Sequence, residues 1–119
     1  MTAVLPLELL AEKEWQAQVV QLARTLGYQH LYHTYNSRRS HSGFPDLVLV
    51  RDRVIYLELK TETGKLTAMQ RQWLDALRNA GAEAYLARPR DLQPLADVLA
   101  RPGRSVGSPL ERSTWQELA

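Results

Sequence analysis

The chain has 119 residues, 45% of them hydrophobic and 24% charged, which suits one folded domain with one core. No apolar run approaches the roughly 18 to 20 residues of a membrane span, and no basic run precedes Glu8, so neither a membrane protein nor a secretory signal is expected. The absence of cysteine excludes disulfides, thiol nucleophiles and thiolate metal sites, and suits a cytoplasmic setting. The net charge is only +2, but its distribution is uneven. No acidic residue occurs from Trp15 to Pro45, whereas Arg24, Arg38, Arg39 and three histidines do. Such a stretch suits a phosphate backbone or stays a solvated basic surface.

Residues 7–26 read as one helix, because Trp15, Val19, Leu22 and Leu26 recur with helical period and Gly27 follows as a stop. Residues 28–35 are aromatic, His-rich and roughly alternating, which predicts a strand. The polar stretch 36–43 predicts a surface loop. Residues 46–50 and 54–60 are the clearest strands, joined by Arg51-Asp52-Arg53, and a turn-rich loop occupies 61–65. Residues 67–80 predict a second helix, opened by a capping box of Thr67 with Gln70 and ended by Gly81. A short strand over 83–87 and a last helix from Asp91, its N-cap, to about Ala100 follow. The expected order is α-β-β-β-α-β-α, a mixed α/β sheet flanked by helices, with the last strand parallel to the third. Residues 1–101 would form the single domain and 102–119 a linker and tail, where Trp115 and Leu118 either dock or stay loose.

The chemistry starts from strand alternation. Tyr56, Glu58 and Lys60 share one face of their strand, while Ile55, Leu57 and Leu59 share the apolar one. A three-residue hairpin loop at 51–53 pairs Val50 with Val54 and sets Asp46 opposite Glu58. A shift by one residue would bring Leu57 and Leu59 to the polar face, which the core forbids. Two carboxylates on opposed positions repel and raise each other's pKa. A divalent cation turns that repulsion into ligation, and hard oxygen ligands point to Mg²⁺ or Mn²⁺.

Gly43-Phe44-Pro45-Asp46-Leu47-Val48-Leu49-Val50, followed by Glu58-Leu59-Lys60-Thr61, resembles the signature of the PD-(D/E)xK nuclease superfamily. More closely it is similar to the VRR-Nuc branch, which has small stand-alone members in phages and bacteria. The opening helix from Ala11, the Ser37-Arg38-Arg39-Ser40 loop, the helix carrying Gln70 and Ala80-Gly81-Ala82-Glu83 extend the resemblance over about residues 11 to 90. It implies a restriction-endonuclease-like fold and a metal-dependent DNA endonuclease. Asp46 and Glu58 would ligate Mg²⁺ or Mn²⁺ together with the backbone carbonyl of Leu59. Lys60 would orient the attacking water or neutralise charge growing on the phosphorane, roles that suit a lysine beside two carboxylates better than proton abstraction does.

Members of the superfamily often add a glutamate from the first helix, for which Glu12 and Glu14 compete. Measured from Trp15, Glu12 lies at about +60° and Glu14 at about −100°, so Glu12 borders the apolar face and is the choice for catalysis and metal binding. Gln16, one turn on, lines the same edge. Gln70 is explained by its capping box, yet the resemblance also places it near the active site. Ser37, Arg38, Arg39 and His41 are the candidate DNA contacts. His30, His33 and His41 lack helical ligand spacing, so His33 or His41 would touch phosphate or simply lie on the surface. Trp15 and Trp73 read as core residues. Stand-alone members of the branch resemble homodimeric Holliday-junction resolvases, which implies branched DNA and a second copy as partners, in a bacterial or phage-infected cell. Cleavage of flaps, nicks or ends, and a non-catalytic DNA-binding module, are the competing readings.

Overall fold

A computed structural model describes residues 6–34 and 43–103. Within them run helix α1 (Glu12–Thr25), strands β1 (His30–His33), β2 (Leu47–Val50) and β3 (Val54–Leu59), helix α2 (Ala68–Asn79), strand β4 (Glu83–Ala87) and helix α3 (Leu92–Ala100). The strands form one sheet in the order β1-β2-β3-β4. β1–β2 and β2–β3 are antiparallel and β3–β4 is parallel. This is the mixed, helix-flanked α/β sheet expected of a restriction-endonuclease-like fold. No helix among the described residues is long and apolar enough to cross a membrane.

The hairpin register is the one the apolar alternation requires, with Val50 against Val54 and Leu47 against Leu57. Leu47, Leu49, Ile55, Leu57 and Leu59 are fully buried on one sheet face, under Trp15, Val19 and Ala23 of α1 and Leu95 and Leu99 of α3. Each such side chain contributes about 1.5–3 kcal/mol of transfer free energy, so this face sets the register.

Three expected boundaries or caps move. Helix α1 starts at Glu12, not Leu7; Leu7–Leu9 form a 3₁₀ turn, and Leu10 and Ala11 are extended, at ψ 119° and 154°. A continuous helix would hold Leu10 about 140° from Trp15, on the solvent side. The break instead lets Leu10 join the core at 8% exposure. Strand β1 starts at His30 because Tyr28 is drawn into the core, where its hydroxyl donates to Leu99 O at 3.0 Å. Asp91 precedes α3, but its side chain makes no cap there. It reaches back instead, and Oδ2 accepts the Arg88 N–H at 2.8 Å.

The charged hairpin loop is more than a connection. Arg51 Nη1 donates to Leu26 O at 2.9 Å and Leu99 O at 3.1 Å, and its guanidinium stacks 4.5 Å over the Tyr28 ring. Arg53 Nη1 donates to Val98 O at 2.7 Å, while its Nε and Nη2 grip the Glu83 carboxylate. The two arginines thus donate to carbonyls at the C-terminal ends of α1 and α3, where backbone donors run short. They tie both helices to the sheet end opposite Asp46 and Glu58.

Candidate active site

Asp46 is delivered by a segment pinned on three sides. Gly43 has φ +90°, and a Cβ there would lie 2.6 Å from Met69 C and 2.8 Å from Gln70 N, so only glycine lets the chain press against the first turn of α2. Phe44 packs edge-on against Trp73 at 5.0 Å and Tyr56 at 6.1 Å. The Thr34 N–H donates to Asp46 O at 2.8 Å, which carries the β1–β2 register one residue further. Asp46 Oδ2 in turn accepts the Leu59 N–H at 2.9 Å, bridging to β3 beside Glu58.

Glu58 lies at 1% exposure near the end of β3, and neither of its carboxylate oxygens has a hydrogen-bond partner. Its pKa is pushed from 4.5 to about 10, first by burial and then by the adjoining Asp46, with Glu12 adding to the rise and Lys60 opposing it. The cause is simple. With both carboxylates ionised Glu58 has no donor to face, whereas a protonated Glu58 can donate to Asp46. An uncompensated buried carboxylate is costly, so in the metal-free fold Glu58 holds its proton, and a positive charge beside it would favour the ionised form. Lys60, half-buried directly after β3, is anchored by its N–H to Ala87 O at 3.2 Å.

The other candidate residues divide. Glu12, the first residue of α1, is exposed, yet its charge reaches Glu58. Among the described residues no group of three histidine or acidic side chains is gathered closely enough to hold a metal ion. The close pair is therefore Asp46 with Glu58, and Glu12 stands off from it. The Gln16 amide meets His33 Nε2 across an open groove of about 590 Å³ between α1 and β1, where Lys13 and Arg24 also lie. His30 is exposed on β1. Gln70 is occupied by the capping box, with Oε1 accepting the Thr67 N–H at 2.9 Å and its own N–H donating to Thr67 Oγ1 at 3.1 Å. Trp15 is fully buried, and its indole donates to Ala87 O at 3.1 Å. Ser37, Arg38, Arg39 and His41 lie outside the described residues, as does most of the 102–119 tail. Thr34 also supports the site without standing out in the sequence; the β1–β2 register is the signal that points to it.

The donor set fits a hard divalent cation: two adjoining carboxylates, one with both oxygens unpartnered, on the strand that also offers the Leu59 carbonyl. No curated protein and no solved structure matches the chain. The VRR-NUC domain model matches residues 4–91, well over half of the chain, and spans every element that builds this site. That match agrees with the sheet, with Asp46 and Glu58 at one end of it and with Lys60 beside them: the chain belongs to the VRR-NUC domain family and is a nuclease domain.

Proposed function

We propose that the protein is a metal-dependent, structure-selective endodeoxyribonuclease that hydrolyses phosphodiester bonds of branched DNA such as Holliday junctions. It works as a homodimer, since a chain with one site needs a second copy to cut two strands symmetrically. Its setting is the cytoplasm of a bacterial or phage-infected cell. The observation that carries the catalytic part is the buried Glu58 carboxylate, unpartnered beside Asp46.

Asp46, Glu58 and the Leu59 carbonyl would hold Mg²⁺ or Mn²⁺, and Glu12 would add negative charge from the first turn of α1. A divalent cation held there would supply polarisation of the scissile phosphate and a lowered pKa for water. Asp46, fixed by the Leu59 N–H, keeps the liganding oxygens in register. Lys60 places its ammonium where charge grows on the phosphorane and orients the water, without needing to lose its own proton. Gln70 holds the first turn of α2 against Gly43 and thereby steadies the Asp46 segment. Cleavage of labelled linear, flap and four-way junction DNA with and without Mg²⁺ or Mn²⁺, beside sizing in solution, tests the whole reading. Junction cleavage by a dimer only with metal supports it; equal cleavage of all substrates removes the structure selectivity.

Two variants separate the contributions. Glu12→Gln is expected to lose far more activity than Glu14→Gln, because only Glu12 is placed by helical phase and charge toward Glu58. Turnover of both at saturating metal checks this, and the reverse ranking refutes it. Arg38→Ala with Arg39→Ala is expected to weaken DNA binding and to flatten its salt dependence, by up to about 0.9 in log–log slope for each phosphate no longer neutralised. Titrations across a salt series measure it; unchanged affinity with unchanged slope refutes the role of this loop.

A further inference from the structure

The loop that follows Lys60 has no regular structure, yet its carbonyls converge on one nitrogen. Arg88 Nη1 donates to Thr61 O and to Gly64 O, each at 2.6 Å, with Glu62 O at 3.5 Å. Arg88 is itself held from behind. Its N–H donates to Oδ2 of Asp91, which with Glu58 is one of the two buried charged residues among those described, and the Asp91 N–H returns a bond to Arg88 O at 2.7 Å. The Glu62 carboxylate accepts the Arg90 N–H at 2.9 Å and closes the loop on its outer side. Folded this way, the loop comes back onto the lysine. A Cβ at Gly64 would lie 3.5 Å from Lys60 Cδ and 2.9 Å from Thr61 Oγ1. Lys60 has a long flexible stem, and β3 fixes only its backbone.

We infer that Arg88 is a positioning residue for the reaction: by gathering the Thr61 and Gly64 carbonyls it folds the loop against the Lys60 stem and fixes where the ammonium sits. The inference rests on the catalytic role proposed for Lys60. Because a single nitrogen serves both the Thr61 and the Gly64 carbonyl, a lysine ammonium can take over part of the clamp, whereas alanine cannot. A misplacement on the order of 1 Å costs up to about 100-fold in rate.

The test compares Arg88→Ala, Arg88→Lys and Gly64→Ala with the wild-type chain on a labelled four-way junction with Mg²⁺, after thermal melts establish folding. Arg88→Ala is expected to lower kcat by about 10- to 100-fold with KM within about twofold. Arg88→Lys is expected to recover much of that loss. In metal-free protein, the ¹³Cε resonance of Lys60 is expected to report a more mobile side chain in Arg88→Ala than in wild type. If Arg88→Ala fails to fold, Gly64→Ala carries the same expectation of lower kcat, since its methyl group would meet Thr61 Oγ1 at 2.9 Å and force a shift in the loop that packs on the Lys60 stem. Full kcat in a folded Arg88→Ala, equal losses in the Ala and Lys variants, or a loss confined to KM overturns the inference, the last by making Arg88 a DNA contact. Inactive Asp46 and Glu58 variants beside a fully active Arg88→Ala would sink this inference alone, whereas active Asp46 and Glu58 variants would sink the reading of the site itself.

Discussion

Asp46→Asn and Glu58→Gln are each expected to lower DNA cleavage by at least about 100- to 1,000-fold while leaving the fold intact, the scale on which a single charge-stabilising group acts in an active site. The motive is geometric. The Glu58 oxygens are unpartnered, and an asparagine amide oxygen at position 46 can still accept the Leu59 N–H that Asp46 accepts now, so neither substitution leaves the sheet with a broken bond. The core that does so lies on the other face, in Leu47, Leu49, Ile55, Leu57 and Leu59. Single-turnover cleavage with saturating Mg²⁺, beside circular dichroism of each variant, checks both halves of the expectation. Wild-type cleavage by either folded variant rules out its place in the chemistry.

Glu58→Gln is also expected to raise the thermal stability of the metal-free protein, and to do so more as pH rises. In the fold Glu58 keeps its proton up to about pH 10, while in the unfolded chain it ionises near 4.5. Between those values the folded state binds more protons than the unfolded one, so stability falls with rising pH. The penalty is absent below the unfolded pKa and grows through neutral pH. Near pH 7 it is on the order of 1–3 kcal/mol, less whatever the buried glutamine amide itself leaves unbonded, and that corresponds to several degrees in Tm. Melts of both proteins from pH 4 to pH 9, with metal removed by a chelator, are expected to converge in acid and diverge above neutrality. Parallel curves would mean that Glu58 is not a strained carboxylate.

The sheet was legible because it obeys a local rule. Alternation over Ile55, Leu57 and Leu59 allowed only one register with Leu47 and Leu49, and that register alone put Asp46 next to Glu58. The Thr67–Gln70 capping box was equally local and formed as expected. What the sequence hid were contacts between groups distant in the chain that leave no period. Arg51, Arg53 and Arg88 look like ordinary charges, yet each collects backbone carbonyls from remote segments. Asp91 had the composition of a helix cap and became a buried anchor for Arg88 because a 3₁₀ turn at Pro89–Asp91 precedes α3. Leu10 could not be assigned to the core by phase, since its burial depends on a break in the helix pattern.

The central claim is that Asp46 and Glu58 are a cation site, and calorimetric titration of Mn²⁺ into the metal-free protein tests it without relying on cleavage. Saturable binding by the wild-type chain that disappears in Glu58→Gln is the predicted result. Binding of equal affinity and stoichiometry by the two proteins would contradict it.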